Sequence, residues 1–210
     1  MPLAGRPMVE WSVAACRAAA SVRSIVVACP PGHIHDLAGG DVGVVDGGAT
    51  RAESVRNALE AVGTELVAIH DAARPLVTPE LIEDVVATLV ADPDAAGAIA
   101  AIPVTDTIKR VASGAERGFT TPEVKNRRLI IDSTLDRGKL WAAQTPQAFR
   151  VAALRAALAA DPERVAAATD EAMLVEADGG RVLIHPASAE NLKVTTPQDL
   201  RVAELLLAQQ

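Results

Sequence analysis

Five short aliphatic runs, each unbroken rather than alternating, are spaced along this chain with segments of helical period between them. They are Ser24–Cys29, Val42–Val45, Leu66–Ile69, Ala98–Ile102 and Val182–Ile184. A strand with one face in water alternates apolar and polar residues, whereas one that is apolar at every position reads as buried on both faces. Helical period is expected at 51–62, 78–91, 150–160, 170–178 and 197–208. In the second of these Leu81, Val85 and Leu89 run beside Ile82, Val86 and Val90 as one wide apolar stripe. Alternation of this kind predicts an α/β fold with a mostly parallel sheet and helices on both faces.

The ends of the elements are also written in the sequence. Thr78-Pro79 and Thr196-Pro197 each place a capping hydroxyl before a proline at the first helical position. Pro7 is expected to open a first helix in the same way. The pattern breaks between Val111 and Arg137, where charged residues (Glu116, Arg117, Lys125, Arg127, Arg128, Asp132) surround the short apolar run Leu129-Ile130-Ile131. We read residues 111–139 as an arm within a single 1–210 domain, either a loop or a segment that docks on a partner.

Composition narrows the function classes. Half of the 210 residues are apolar, enough to bury a real core, which argues against intrinsic disorder. The formal charge is −7, and two Trp, two Phe and no Tyr offer few surfaces on which bases could stack. Polymeric nucleic acid is therefore not an expected partner, although a small anionic substrate is still compatible with local clusters of cations. Cys16 and Cys29 are too few for a disulfide framework or a zinc site and read as thiols of a reducing compartment. No apolar run reaches the roughly 18 residues a membrane span needs. Glu10 and Arg17 interrupt the apolar stretch that a signal peptide would require, so a soluble, cytoplasmic protein is expected.

In open α/β sheets ligands bind at the carboxyl ends of strands, so the residues that follow each run are the candidates for chemistry. After Ile69 comes His70-Asp71-Ala72-Ala73-Arg74-Pro75. Asp71 could hold magnesium and Arg74 a phosphate, or the two could simply pair across a turn. After Val45 comes Asp46-Gly47-Gly48, with Ser54 in the first turns of the next helix. Adjacent glycines permit positive φ and close approach of a ligand to the backbone, although an ordinary turn would look the same. The nicotinamide-dinucleotide pattern G-x-G-x-x-G is absent from the sequence. Further on stand Thr105-Asp106-Thr107-Ile108-Lys109, Asp136-Arg137, Thr145-Pro146-Gln147, Thr169-Asp170-Glu171-Ala172 and Asn191-Leu192-Lys193-Val194-Thr195. Each is weak alone, since a lone cation is usually solvated and Thr-Asp is usually a cap.

Taken in order, His-Asp-Ala-Ala-Arg-Pro, Thr-Asp-Thr-Ile-Lys, Gln-Thr-Pro-Gln-Ala-Phe, Thr-Asp-Glu-Ala and Asn-Leu-Lys-Val-Thr, together with Gly-Gly-x-x-Arg-x-x-Ser-Val, span nearly the whole chain. In them the chain resembles the 2-C-methyl-D-erythritol 4-phosphate cytidylyltransferases. The resemblance implies a Rossmann-like domain with a protruding dimerisation arm. It also implies magnesium-dependent transfer of a cytidylyl group from CTP to the polyol phosphate, with release of pyrophosphate. It aligns Gly47, Gly48 and Ser54 with the cytosine and ribose side of the nucleotide site. Asp71 aligns with the carboxylate near magnesium and ribose, and Arg74, Thr107, Arg137, Thr169 and Lys193 with positions around the acceptor. Among these Arg137 and Lys193 match the residues that position the acceptor phosphate for attack. The resemblance further implies a homodimer in which the arm bearing Thr107 and Arg137 completes the partner's site. Here the stretch between Lys109 and Arg137 is longer than is usual in the family.

One departure concerns the start. The family opens with a strand and a loop of the form Ala-Ala-Gly-x-Gly-x-Arg followed by Pro-Lys, upstream of the segment that matches Pro2-Leu3-Ala4-Gly5-Arg6-Pro7. The expectation is that this strand and Gly-rich loop are missing from residues 1–210, leaving unpaired strand edges and a poorly soluble or inactive form. Two alternatives follow: a cytidylyltransferase for another polyol phosphate such as ribitol 5-phosphate, and an inactive dimeric homologue. A nicotinamide-dependent oxidoreductase shares only the fold class.

Overall fold

The computed structural model describes residues 2–32, 42–112 and 129–209. Lys125, Arg127, Arg128, Glu116 and Arg117, part of the charged excursion, lie outside the described residues. The chain divides into two compact units, 1–101 with 143–210, and 102–142.

The first unit begins with a small hairpin, β1 (Pro2–Leu3) against β2 (Arg6–Pro7). Its two-residue turn has positive φ at both centres, 49° at Ala4 and 77° at Gly5, the backbone a tight hairpin demands. Helix α1 (Met8–Ala18) follows, with Pro7 at its N-cap rather than at the first helical position expected from the sequence. Strands β3 (Ile25–Cys29) and β4 (Val42–Asp46) pair in parallel as a two-stranded sheet, and α2 (Arg51–Glu60) packs on both. Next come β5 (Leu66–Ile69), α3 (Pro79–Val90) and β6 (Gly97–Pro103).

The second unit contains β7 (Lys109–Val111) and β8 (Ile131–Thr134), an antiparallel pair, and a 3-10 turn at Arg137–Lys139. Strand β9 (Trp141–Arg150) then leads back into the first unit, followed by α4 (Val151–Leu158), α5 (Pro162–Ala167), α6 (Glu171–Ala177), β10 (Val182–Pro186) and α7 (Pro197–Leu207).

The larger sheet has the order β10-β6-β9-β5, with β10 parallel to β6 and β5 antiparallel to β9. Successive residues of its inner strands point to opposite faces. Ile99 and Phe149 join Leu59, Leu154, Leu174 and Val175 of α2, α4 and α6 on one side. Ala98, Ala100 and Ala148 join Val85 and Leu89 of α3 on the other. The helices therefore cover both faces, as the α/β reading requires. The capping signals hold too: Thr78 Oγ1 accepts from the Leu81 N–H at 3.2 Å, and Thr196 forms a capping box with Asp199.

The expectation that all five runs are buried on both faces needs correction. Only β6 is buried along most of its length, while β3, β4, β5 and β10 are largely half-buried or exposed. β5 and β10 are the outer strands of the four-stranded sheet, and β3 and β4 stand as a separate pair. An outer strand loses cover along one edge whatever its composition. Several elements are additional to the sequence reading: the short pairs β1–β2 and β7–β8, the 3-10 turn, the ten-residue β9 and the short α5.

Candidate functional site

The turn between β4 and α2 is built by α2 itself. Thr50 and Glu53 form a capping box: Thr50 Oγ1 accepts from the Glu53 N–H at 3.1 Å, and Glu53 Oε2 accepts from the N–H groups of Ala49 (2.7 Å) and Thr50 (3.3 Å). Ser54 Oγ accepts from the Gly48 N–H at 3.0 Å and donates to the Thr50 carbonyl. Neither Gly47 nor Gly48 has the positive φ that the sequence suggested. Gly48 is required for another reason, since a Cβ there would fall 2.2 Å from Glu53 Cβ. The glycines let the chain close on α2, and the Gly48 amide is already engaged by Ser54.

Beside that helix start lies a cluster of alternating charge. Asp71 stands two residues beyond the end of β5, after His70. Its Oδ2 accepts from Lys193 Nζ at 2.7 Å, and its Oδ1 from Arg51 Nη2 and Nε at 3.2 and 3.3 Å. Arg51, the first residue of α2, also donates through Nη1 to Glu171 Oε2. Glu171 opens α6, and its side chain is only 1% exposed, against 18% for Asp71 and 44% for Lys193. Burial works against ionisation of Asp71, but Lys193 and Arg51 outweigh it and hold its pKa below the usual carboxylate value. Burial likewise opposes charge on Arg51, yet Glu171 and then Asp71 overcome it, and the guanidinium pKa is raised. Glu171 itself is pushed up by burial, only partly offset by Arg51. Two cations and two carboxylates balance, so the cluster offers oriented charges rather than a strongly positive patch.

The loop after β5 is held by a directional chain of hydrogen bonds. The Asp71 N–H donates to Thr145 Oγ1 at 3.0 Å, Thr145 Oγ1 meets His70 Nδ1 at 3.0 Å, and His70 Nε2 meets the Arg74 carbonyl at 3.0 Å. A carbonyl only accepts, so Nε2 carries a proton, while Thr145 Oγ1 could either donate to Nδ1 or accept from it. Burial lowers the His70 pKa to about 4, which keeps the ring neutral near pH 7 and makes Nδ1 the acceptor from the Thr145 hydroxyl. The folded state therefore resists protonation that the unfolded chain accepts. This contribution is fully present above about pH 6.5 and is lost as pH falls toward 4, by up to about 3 kcal/mol. Imidazole nitrogen NMR should show the Nε2–H tautomer at pH 6 and a midpoint near 4. A midpoint near 6.5 would contradict the assignment.

Asp71 and Arg74 meet across a turn through the backbone, the Arg74 N–H donating to the Asp71 carbonyl at 2.8 Å, but their side chains do not pair. Arg74 donates to the carbonyl of Asn191 at 2.7 Å and approaches that of Ala143 at 3.5 Å, while its Nε is buried without a partner. Burial lowers its pKa. Buried amides support these groups from behind. Asn191 Nδ2 donates to Gln144 Oε1 and to the Thr145 carbonyl, and Gln147 Nε2 donates to Asp170, the N-cap of α6.

The structure thus brings Asp71 and Lys193 together, with Gly47, Gly48 and Ser54 at the start of the same helix that carries Arg51. Arg74 braces the loop after β5, and Thr169 is exposed just before the cap of α6, its hydroxyl 3.9 Å from Met173 Sδ. Thr107 and Arg137 belong to the second unit, where both are exposed and Arg137 Nη1 donates to the Thr105 carbonyl at 2.5 Å. Sequence reasoning assigned no role to Arg51, Glu171, Thr145, Gln147 or Asn191. All five lie within quoted motifs, but their contacts link positions far apart in the chain.

An α/β sheet covered on both faces, with fixed cations and a hard carboxylate oxygen donor at the carboxyl end of a strand, suits an enzyme that orients phosphate groups, as nucleotidyltransferases do. The family model described as "IspD: 2-C-methyl-D-erythritol 4-phosphate cytidylyltransferase" matches residues 1–209. The chain belongs to this family. It is 39% identical to the protein of that name from Syntrophotalea carbinolica, over 99% of this chain and 86% of that one. It is 44% identical to that of Cereibacter sphaeroides, over 99% and 87%. The crystal structure of the Thermus thermophilus enzyme superposes with a TM-score of 0.76 at 33% identity, covering 99% of this chain and 92% of the other.

Proposed function

We propose that this protein transfers the cytidylyl group of CTP to 2-C-methyl-D-erythritol 4-phosphate, giving 4-diphosphocytidyl-2-C-methyl-D-erythritol and pyrophosphate. The observation that carries the reading is the Lys193–Asp71–Arg51 cluster at the end of β5, set in a chain that belongs to the cytidylyltransferase family. The acceptor phosphate is largely dianionic at neutral pH, its second pKa being about 6. One of its oxygens attacks the α-phosphorus of CTP, the new P–O bond forms, and the bond to the bridging oxygen of pyrophosphate breaks. No protein nucleophile is needed. The protein aligns the two phosphates and supplies positive charge as the five-coordinate centre forms.

In this reading Lys193 and Arg137 position the acceptor phosphate, with Arg74, Thr107 and Thr169 around the acceptor. Gly47, Gly48 and Ser54 flank the cytidine. Among the described residues no three His, Cys, Asp or Glu side chains gather around one point. A magnesium ion would thus rely on Asp71 as its protein carboxylate, with phosphate oxygens and water as further ligands, a donor set that suits magnesium. When bound, the metal neutralises charge on the triphosphate. Glu171 is enclosed against Arg51 and is not available for that role.

We also read the second unit as the arm of a homodimer, with Thr107 and Arg137 completing the partner's site, in a cytoplasmic enzyme. Ile130 and Ile131 of that unit are 72% and 59% exposed, which supports an apolar contact. Among the described residues no helix is long and apolar enough to cross a membrane. Ile130→Asp should shift the protein from dimer to monomer in analytical ultracentrifugation. An unchanged sedimentation coefficient would remove the arm from the interface. The activity itself is tested by pyrophosphate release with CTP and each of methylerythritol phosphate and ribitol 5-phosphate. Turnover with the first and not the second is expected, and the reverse would reassign the acceptor.

A further inference from the structure

Glu171 is an acid enclosed in the first unit, and the reaction as derived above gives it no part. It stands at the first position of α6, next to the cap Asp170. Its carboxylate faces the Arg51 guanidinium, which in turn reaches Asp71. Gln147 of β9 fixes the same helix end by donating to Asp170 Oδ2 at 2.9 Å.

We infer that Glu171 is a positioning residue: through Arg51 it sets the orientation of the Asp71 carboxylate and touches neither substrate itself. An exposed arginine carries much rotamer entropy and would sample many directions. Arg51 is 37% exposed at its side chain and could swing toward an incoming phosphate. Its second partner prevents this. With Nη1 committed to the enclosed Glu171, the Nε and Nη2 edge is presented to Asp71 Oδ1. Asp71 is then held from both sides, by Arg51 on Oδ1 and Lys193 on Oδ2. The enclosure of Glu171 is what makes the arrangement stiff, because a buried carboxylate has no water to exchange for its guanidinium.

This inference rests on the functional reading above, and its test separates the two. In Glu171→Gln the crystal structure should show Arg51 displaced from Asp71, a result that needs no activity. Provided wild type is active, kcat should fall about tenfold and the half-saturating magnesium concentration should rise, with KM for the acceptor little changed. In Arg51→Gln the same effects are expected, and adding Glu171→Gln to it should lower kcat no further, because Glu171 acts only through Arg51. The double variant also leaves no orphaned charge, so it should fold even where Glu171→Gln does not. Should neither be stable, Glu171→Asp keeps the charge and shortens the reach, and the same pattern is expected at smaller size. The inference is overturned if Arg51 stays on Asp71 in the Glu171 variant, or if kcat and magnesium dependence stay at wild-type values per folded molecule. A further loss on adding Glu171→Gln to Arg51→Gln would equally overturn it. An inactive wild type with Arg51 displaced in the variant would count against the functional reading and leave the positioning role standing.

Discussion

Lys193→Ala should lower turnover on the order of 10²- to 10³-fold, the usual cost of deleting one oriented group that stabilises charge developing at the reacting centre. The protein should stay folded. Among the described residues Lys193 makes one ion pair, with Asp71, and 44% of its side chain faces solvent. Exposed pairs of this type contribute about 0–1 kcal/mol to stability, so the melting temperature should move by only a few degrees. The gap between a small structural cost and a large kinetic one is what separates a phosphate-positioning cation from a structural one. Lys193→Arg should recover part of the loss, because charge is restored but a planar fork replaces a compact ammonium. Steady-state kinetics at saturating CTP and acceptor, normalised to folded protein, reads the effect. Loss of stability with full turnover per folded molecule would make Lys193 structural and break the proposed assignment.

Substrate must also displace something. Lys193 is not waiting free for phosphate but is held by Asp71, while Arg51 is committed to Glu171 and Asp71. Under the proposed function an acidic chain of net charge −7 would bind two anions without a large patch of unbalanced positive charge, because a cation such as Lys193 is oriented in advance by a carboxylate neighbour. The sequence could not convey this. Lys193 stands 122 positions from Asp71 and Glu171 stands 120 from Arg51, and no local spacing encodes either pair.

What the sequence conveyed was local. Thr78-Pro79 and Thr196-Pro197 located two helix starts because the cap and the proline act within one turn. Asp161-Pro162 carries the same signal for α5, with Asp161 capping Arg164, but the six residues that follow are too few to show a helical period. Strand β9 was hidden for a different reason. Its Gln144, Thr145 and Gln147 are polar residues that are buried, which defeats any rule based on apolar runs. They are tolerated because the site uses them: Gln144 meets Asn191, Thr145 meets His70 and Asp71, and Gln147 meets Asp170. A polar strand in the middle of a sheet is itself a pointer to function, since every such group needs a partner and here the partners lie in the loops around the cluster. At the double glycine the positive φ that such a pair permits is not used, and Gly48 is set instead by the space Glu53 leaves.

Asp71→Asn is the sharper test of the metal assignment. An amide at this position can no longer pair with Lys193 and Arg51 as an anion, and its Nδ2 donor has to avoid whichever cation it faces. Two effects should separate by pH and by metal. The carboxylate is held below its ordinary pKa, chiefly by Lys193 and Arg51 acting against burial. Its stability contribution is therefore present above the unfolded carboxylate value and lost as pH falls through the lowered one. The variant mimics the protonated form at every pH. Denaturation midpoints should thus be lower than wild type near neutrality and converge with it in acid. For catalysis, removing a direct oxygen donor should cost at least as much as disturbing a supporting group, about 10- to 100-fold in magnesium affinity or activity. Part of the loss in turnover should return as magnesium is raised, because the remaining ligands come from phosphates and water. Asp71→Ala, with no oxygen at all, should recover less. If half-saturation by magnesium is the same in Asp71→Asn and wild type while kcat falls, Asp71 acts only by holding Lys193. The double variant with Lys193→Ala would then be no slower than Lys193→Ala alone.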